Sequence, residues 1–149
     1  MRVKKVKDIK NLTIYSPEKS QLKKRPIVNE DIAAGFPSPA EDFKEVRISL
    51  DQELVKNEDA TFYARVRGNS MIDANIEDGD LLVIDRSLET RDGKIAVCMI
   101  DGEFTIKRLK VEKDCVYLMP ENKDYKPIKV TEENELIVWG IVTYVVKKV

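Results

Sequence analysis

The sequence predicts a mostly β fold with an extended N-terminal arm, and two features carry that prediction. Beyond residue 45, apolar and polar side chains alternate in a series of short segments, which is typical of strands with one buried face. Asp101-Gly102 separates two of these segments, and an Asp-Gly pair in that place is a strong signal for a tight β-hairpin. At 149 residues, the chain is long enough for one ordinary domain with a hydrophobic core.

Residues 1–34 are predicted to form an extended or partly helical arm. Apolar residues recur at every third position from Val3 to Leu12, but Ser16-Pro17 would end any helix there. The basic run Lys23-Lys24-Arg25-Pro26 could touch nucleic acid, although a solvated surface is the commoner place for such a run. The arm is too short for a helix-turn-helix domain, so we expect no sequence-specific DNA binding.

Charge is unevenly divided between the arm and the rest of the chain. Residues 1–34 carry nine Lys or Arg and four Asp or Glu, whereas residues 35–149 carry seventeen and twenty-three, for net charges of +5 and −6. Because a basic arm and an acidic body attract each other, we expect the arm to lie on the body. An acidic body is also a poor candidate for DNA binding by itself.

The junction between the arm and the body is the run Ala33-Ala34-Gly35-Phe36-Pro37-Ser38-Pro39. Its two prolines exclude a helix and remove backbone donors, which predicts an extended and accessible segment. Its composition alone indicates only a linker. Small side chains at Ala34 and Gly35 would, however, let this peptide enter a narrow cleft.

Beyond the junction, the pattern predicts a short strand, a short helix and six longer strands. Val46, Ile48 and Leu50 alternate, and Asp51 is a candidate N-cap for a helix over residues 52–56. The longer strands are expected at residues 61–67, 81–85, 94–100, 103–109, 115–118 and 135–146.

The hairpin at Asp101-Gly102 determines which side chains share a strand face. Lys107 is expected on the same face as Glu103 and Thr105, because side chains alternate along a strand. Phe104 and Ile106 are expected on the opposite face. This alternation alone would leave Lys107 on the more polar face, so any burial of its amine must come from a second layer.

Composition excludes several classes of protein and site. Hydrophobic residues make up 42% and charged residues 36%, which suits a globular protein. No apolar run reaches the length of a membrane span and the N-terminus lacks a signal-peptide stretch, so the expected location is the cytoplasm, with no membrane partner. Cys98 and Cys115 are expected to be buried free thiols. Without histidine or a Cys-x-x-Cys motif, neither a metal site nor a cofactor is expected.

Ser70 is the candidate nucleophile. Gly68 breaks the strand that precedes it, so Ser70 is expected at a turn with free backbone N–H groups, although most such serines are only turn residues. Because the chain contains no histidine, a Ser-His-Asp arrangement is excluded and a lysine base remains. Lys107 is the candidate base if burial keeps it neutral. A strand lysine that points to water is the alternative.

Several motifs surround these two residues in a defined order. Gly68-Asn69-Ser70-Met71 comes first, Asp78-Gly79-Asp80 follows, and Lys107 lies 37 positions after Ser70. Together with Gly35-Phe36-Pro37-Ser38-Pro39-Ala40 and Met119-Pro120-Glu121-Asn122, this order resembles the LexA/UmuD family of self-cleaving Ser-Lys proteins. The resemblance extends from about residue 35 to the C-terminus. It is nearest to the UmuD type, because a LexA-type repressor carries a DNA-binding domain ahead of its protease domain.

The resemblance implies a division of the chain and a set of partners. Residues 35–149 would form a compact LexA/UmuD-like β domain with Ser-Lys peptidase activity, and residues 1–34 would form an arm that self-cleavage at Ala34-Gly35 removes. A RecA–single-stranded-DNA filament would promote the cleavage after DNA damage. The shortened protein would be a homodimer that joins a UmuC-like Y-family polymerase for translesion synthesis in SOS mutagenesis.

The resemblance also implies roles for individual residues. Ser70 would be the nucleophile, Lys107 the general base, and the backbone N–H groups of Asn69 and Ser70 the oxyanion donors. Asp78-Gly79-Asp80 is predicted to shape a turn below the site, with acid/base work or Mg²⁺ binding as the alternative. Two other functional classes stay open: a Ser-Lys hydrolase that cuts separate proteins, such as a signal peptidase, and a non-catalytic binding module. Incubating the purified protein and looking for a shorter fragment would discriminate between them.

Overall fold

The computed structural model describes residues 3–9, 12–17, 24–27 and 46–149, and it confirms the predicted mostly β fold. Eleven strands are assigned within these residues. They are β1 (Val3–Ile9), β2 (Leu12–Pro17), β3 (Arg25–Ile27), β4 (Val46–Ile48), β5 (Thr61–Val66), β6 (Leu81–Asp85), β7 (Ile95–Ile100), β8 (Glu103–Val111), β9 (Val116–Met119), β10 (Ile128–Val130) and β11 (Leu136–Val146). One short α-helix, α1 (Leu50–Leu54), and two 3-10 helices, Glu58–Ala60 and Ile72–Ala74, complete the description.

Nine of these strands form one antiparallel sheet in the order β1-β2-β5-β6-β11-β7-β8-β9-β10, and β3 pairs with β4 separately. β11 lies at the centre, where it pairs with both β6 and β7. Neighbouring side chains of β7 enter different core clusters: Val97 packs with Leu82 and Ile84, whereas Ala96 and Cys98 pack with Leu109. This alternation agrees with side chains that point to opposite faces of a strand.

The hairpin between β7 and β8 confirms the register that Asp101-Gly102 predicted. Ile100 pairs with Glu103 across the turn, and both loop residues have positive φ, as a type I′ turn requires. Cys98 consequently pairs with Thr105, and Ala96 pairs with Lys107. The hairpin therefore fixes the position of Lys107 along β8.

The described residues at the start of the arm form strands, rather than the partly helical structure that was the alternative. β1 and β2 form an antiparallel hairpin, and β2 continues the large sheet by pairing with β5 from Leu12 opposite Val66 to Tyr15 opposite Tyr63. The side chains of Leu12 and Ile14 are buried in the core. Backbone pairing and apolar burial thus attach this part of the arm to the body, and they outweigh the three-residue apolar spacing. The junction at Ala33–Pro39, including Ala34 and Gly35, lies outside the described residues.

Three smaller predictions were wrong in detail. The helix begins at Leu50 and ends at Leu54, with Ser49 at its N-cap, so Asp51 lies inside the helix rather than capping it. The alternation from Val46 to Leu50 stops at β4 because Leu50 enters the helix and is 64% exposed. Of the two cysteines, which are both free, Cys98 is buried as predicted, but Cys115 is only half-buried.

Gly140 marks an irregularity in β11 that the packing requires. The pairing register shifts between Val138 and Gly140, and a Cβ at position 140 would lie 2.5 Å from the Cγ2 atom of buried Ile84. We expect Gly140→Ala to lower the free energy of unfolding by about 1–3 kcal/mol, because overpacking forces neighbouring groups to move. Urea unfolding would measure this loss. If the clash is the cause, the double variant with Ile84→Ala should lose less than the sum of the single variants, and strict additivity would contradict it.

Candidate active site

Ser70 lies in the turn that follows β5, as the sequence predicted. Gly68 leaves the strand with a φ of +90°, and its N–H donates a 2.7 Å hydrogen bond to Oδ1 of Asp78. The neighbouring 3-10 helix, Ile72–Ala74, closes the turn on its other side. Ser70 is half-buried here, so its hydroxyl is presented at the surface of the domain rather than packed in the core.

Lys107 lies on β8 and its side chain is buried, with only 7% of the residue exposed. The Nζ atom is 3.0 Å from Oγ of Ser70, 2.8 Å from Oγ1 of Thr105 and 3.0 Å from the carbonyl oxygen of Ile106. Thr105 lies on the same strand face, as the predicted alternation required. The alternative of a strand lysine that points to water is therefore wrong.

Burial lowers the pKa of Lys107 from its ordinary value, because a charged amine is poorly solvated in this position. A thiolate at Cys98 would act in the opposite direction. Burial, however, raises the pKa of Cys98 itself to about 12, so near neutral pH this thiol is uncharged and has no such effect. The pKa of Lys107 is therefore lowered overall, which favours the neutral form of its amine.

The backbone around Ser70 is held by a segment that follows β9. The N–H of Glu121 donates to the carbonyl oxygen of Ser70 at 2.9 Å, and Nδ2 of Asn122 donates to the carbonyl oxygen of Asn69 at 2.8 Å. Among the described residues, the N–H groups of Asn69 and Ser70 have no acceptor of their own. These two amides are therefore available to a ligand, as the predicted oxyanion donors must be.

The serine and the lysine share a small cleft of about 110 Å³. It is lined by residues 66–71, residues 105–107 and Tyr125. This volume is well below the roughly 300–1,000 Å³ of pockets for cofactors and drug-sized ligands. The volume of the cleft is closer to that of a small side chain.

A larger depression, of about 750 Å³, lies elsewhere, around Asp85, and does not include Ser70 or Lys107. Burial alone would raise the pKa of Asp85, but hydrogen bonds from Ser87 and Asn57 more than offset it, so the pKa lies below its usual value. These bonds tie the carboxylate to its own neighbours. Although this depression is larger than the cleft at Ser70, its carboxylate is already bonded, and we do not take it as the candidate site.

The Asp78-Gly79-Asp80 segment forms a turn below the serine, as predicted. Gly79 has a φ of +89°, and Asp80 is buried, where its carboxylate accepts hydrogen bonds from the N–H of Glu77 and from Lys147. The carboxylates of Asp78 and Asp80 thus hold the turn together. Within the described ranges, no group of three potential metal ligands is present, and no helix has the length and apolar character needed to cross a bilayer.

Sequence reasoning missed the contacts that Thr105, Glu121 and Asn122 make with the candidate pair or its backbone. Thr105 could have been identified, because it lies two positions before Lys107 on the same strand face. Glu121 and Asn122 belong to a motif that carries the family resemblance, but the sequence does not indicate what they contact. Their partners at Asn69 and Ser70 lie about 50 positions away along the chain.

Comparisons with known proteins agree with this arrangement. The family described as Peptidase S24-like matches residues 26–143. Protein MucA of Salmonella typhimurium is 42% identical over 127 residues, which cover 84% of this chain and 86% of MucA. Protein SamA of Salmonella typhimurium strain LT2 is 35% identical over 138 residues, covering 92% of this chain and 96% of SamA. A LexA repressor of Acidithiobacillus ferrooxidans is 41% identical over 114 residues, covering 74% of this chain and 55% of the repressor.

The family match spans both the serine turn and the lysine strand. It also agrees with the LexA/UmuD resemblance that the linked motifs of the sequence carry, and similarity to MucA and SamA extends over most of the chain. The catalytic roles of Ser70 and Lys107, and the cleavage bond at Ala34-Gly35, are predictions. The chain belongs to the Peptidase S24-like family.

Proposed function

We propose that this protein is a Ser-Lys peptidase that cuts its own chain between Ala34 and Gly35. The observation that carries the proposal is the 3.0 Å separation of Lys107 Nζ from Ser70 Oγ in a position where the lysine is buried. Membership of a peptidase family supports it. The absence of histidine from the sequence leaves lysine as the base that could activate this serine.

The three contacts of Lys107 suit a neutral amine, which has two N–H donors and one lone pair. The carbonyl oxygen of Ile106 can only accept, so one N–H is directed to it. The hydroxyl of Thr105 accepts the second N–H. The lone pair is then left for the hydroxyl proton of Ser70, which is the arrangement that a general base needs.

The reaction begins when Ser70 Oγ bonds to the carbonyl carbon of Ala34 while its proton passes to Lys107 Nζ. The negative charge on the former carbonyl oxygen is stabilised by the N–H groups of Asn69 and Ser70. The bond between Ala34 and Gly35 then breaks, and Lys107 returns the proton to the departing amine of Gly35. Water hydrolyses the remaining ester at Ser70, again with Lys107 as the base.

The biological role that we propose is in the DNA-damage response. A RecA–single-stranded-DNA filament promotes self-cleavage in the cytoplasm, and a homodimer of residues 35–149 then acts as an accessory subunit of a UmuC-like Y-family polymerase in translesion synthesis. The LexA/UmuD-type motifs and the similarity to MucA, SamA and a LexA repressor support this role. The net charge of −6 on residues 35–149 fits a protein partner better than direct DNA binding.

The deciding experiment follows the purified 149-residue chain by intact mass spectrometry during incubation at alkaline pH, with and without a RecA filament. We expect two fragments that join at Ala34-Gly35 and a rate that is independent of protein concentration if each chain cuts itself. A chain that stays intact but cuts an added peptide containing this junction would instead be a hydrolase of separate proteins. A chain that does neither would be a non-catalytic module.

The identity of the cleaved bond can be tested with Gly35→Trp. We expect this variant to cleave at least about 100-fold more slowly, because an indole beside the scissile bond would hinder its approach to the serine in a cleft of only about 110 Å³. Fragment formation on a denaturing gel measures the rate. Glu133→Trp, in an exposed loop, is the control for a new tryptophan and should cleave normally. Normal cleavage of Gly35→Trp would place the scissile bond elsewhere.

A further inference from the structure

Glu121 and Asn122 hold the backbone on both sides of Ser70. The Glu121 N–H donates to the carbonyl oxygen of Ser70 at 2.9 Å, and the Glu121 carbonyl accepts a 2.7 Å bond from the N–H of Asp73, beyond the serine. On the other side, Nδ2 of Asn122 donates to the carbonyl oxygen of Asn69 at 2.8 Å. This two-residue segment thus contacts the serine turn at three backbone positions.

The contact from Asn122 helps to fix the direction of an N–H group, through an Asn69 carbonyl oxygen that also accepts a longer 3.3 Å bond from the N–H of Ile72. The carbonyl of Asn69 and the N–H of Ser70 belong to one planar trans peptide, in which they point in opposite directions. When the Asn122 side chain fixes the carbonyl of Asn69, it therefore also aims the Ser70 N–H away from Asn122. That N–H is one of the two proposed oxyanion donors, and donors of this kind act only when they are aimed before the reaction.

The segment is in turn connected to the strand that carries the proposed base. Arg108, which directly follows Lys107, donates from Nε to Oε1 of Glu121 and from Nη1 to the carbonyl oxygen of Gly93 at 2.7 Å. The Arg108–Glu121 pair is about one-third exposed at each end, so its effect on stability is small. Its geometric effect is to hold Glu121 against β8.

We propose that Asn122 is a positioning residue that aims the Ser70 N–H at the developing oxyanion, and that the Arg108–Glu121 ion pair holds Asn122 in register with Lys107. This inference rests on the proposed function, since it assigns a role within the same self-cleavage reaction. Asn122 does not touch the reacting atoms. It acts through the peptide group between Asn69 and Ser70.

The principal test is Asn122→Asp, which removes the Nδ2 donor but keeps the oxygen that accepts the N–H of Asp124. We expect the self-cleavage rate on its alkaline plateau to fall roughly 10- to 100-fold, somewhat less than the loss of an entire oxyanion donor. Rates should be compared on the plateau, where Lys107 is already neutral. A new carboxylate at position 122 could otherwise change the rate by changing the protonation of Lys107. Asn122→Ala, which adds no charge, should show a similar loss with an unchanged apparent pKa.

Asn134→Ala is the matched control. Asn134 also anchors a turn through both side-chain atoms, because its Oδ1 accepts from Thr131 and its Nδ2 donates to Asp101, but its partners belong to the β7–β8 turn and its own loop rather than to the serine turn. If Asn122 has only a structural role, Asn122→Ala and Asn134→Ala should lower Tm and cleavage rate alike. We expect similar changes in Tm, with the rate lowered by Asn122→Ala alone.

A second pair of variants tests the connection to β8. Glu121→Gln should lower the plateau rate by roughly twofold to tenfold, and its effect should not add to that of Arg108→Leu, because the two residues form one contact. Glu112→Gln breaks the Lys110–Glu112 ion pair at the end of the same strand and should leave the rate unchanged. Full additivity of Glu121→Gln and Arg108→Leu would contradict the proposed connection.

The amide resonance of Ser70 gives a readout that does not depend on activity. In ¹H–¹⁵N spectra, Asn122→Asp should shift this resonance, whereas Asn134→Ala should leave it in place. An unshifted Ser70 resonance, or an unchanged plateau rate in both Asn122 variants, would overturn the inference. A wild-type chain that never cuts itself would instead refute the proposed function, and the resonance would still decide whether Asn122 orients the Ser70 amide.

Discussion

Ser70→Ala is expected to bring self-cleavage below detection, since losing the nucleophile of a serine peptidase lowers the rate by about 10⁶-fold. The hydroxyl is the only group of Ser70 that the substitution removes, and alanine fits the same turn. Ser70 is half-buried outside the core, and Lys107 keeps its bonds to Thr105 and Ile106. The fold should therefore survive, with a Tm close to that of the wild type.

The measurement is fragment yield at alkaline pH over a period long enough for complete wild-type cleavage. Ser87→Ala is the matched control, because Ser87 is also a loop serine with a bonded hydroxyl, which donates to Asp85. This control should cleave normally. If Ser70→Ala released the same fragments at the wild-type rate, a different nucleophile would be at work and the proposed mechanism would fail.

The position of Lys107 along its strand could be predicted because it depends on local chemistry. An Asp-Gly loop favours positive φ at both residues, and this fixes the register of the hairpin as soon as the turn is located. The same holds for Ser70, since Gly68 turns the chain through its positive φ two residues after the end of β5. The positions of both residues in the secondary structure could therefore be predicted from local chemistry, whereas their pairing was predicted from the order of the motifs and the resemblance to the LexA/UmuD family.

The burial of Lys107 could not be predicted from its own strand. Alternation placed it on the polar face with Glu103 and Thr105, and in the structure its amine lies against the turn at Ser70, which is 37 positions away along the chain. Asn122 was missed for the same reason, as its bond to Asn69 spans 53 positions. Contacts of this range depend on how the strands are ordered in the sheet, which local patterns do not encode.

The arm shows how tertiary contacts can override a local pattern. The three-residue spacing of apolar residues permitted a helix, yet Leu12 and Ile14 are buried beside β5 in an extended conformation. The edge of β5 offers a row of backbone partners, and a strand that pairs with it satisfies these groups while burying apolar side chains. Neither the backbone pairing nor the apolar burial can be predicted from the sequence of the arm alone, because both depend on β5.

The pH dependence of self-cleavage is the most direct probe of Lys107. If its neutral form is the base, the rate without a filament should rise with pH and level off above the folded-state pKa, which burial places below the ordinary value. A carboxylate base would reach its plateau in mildly acidic solution, and a histidine base is excluded by composition. Lys107→Ala should be inactive, and so should Lys107→Arg, because arginine stays protonated.

The cysteines are simple to control for in this profile. Burial raises the pKa of Cys98 to about 12, so this thiol remains protonated through the range in which the lysine is expected to titrate. Cys115 is half-buried, and a Cys115→Ser background tests whether it affects the profile. The profile should be the same in this background, whereas a profile that moves with Cys115→Ser would assign the titration to the thiol.

An independent readout comes from stability. Because the pKa of Lys107 is lower in the folded than in the unfolded chain, the folded state binds fewer protons between those two values. The contribution of Lys107 to stability must therefore rise with pH through this window, up to the unfolded-state value of about 10.4. Lys107→Met should remove this rise from the free energy of unfolding, and an unchanged pH dependence would show that the lysine is not perturbed.

The effect of a RecA filament on this profile separates two ways of promoting cleavage. A filament that only holds the junction in the cleft would raise the plateau rate and leave the apparent pKa unchanged. A filament that helps to deprotonate Lys107 would move the apparent pKa to lower values. A flat profile from mildly acidic to alkaline pH, with bond cleavage shown to limit the rate, would contradict Lys107 as the base, because no buried amine could then be changing its charge during the measurement.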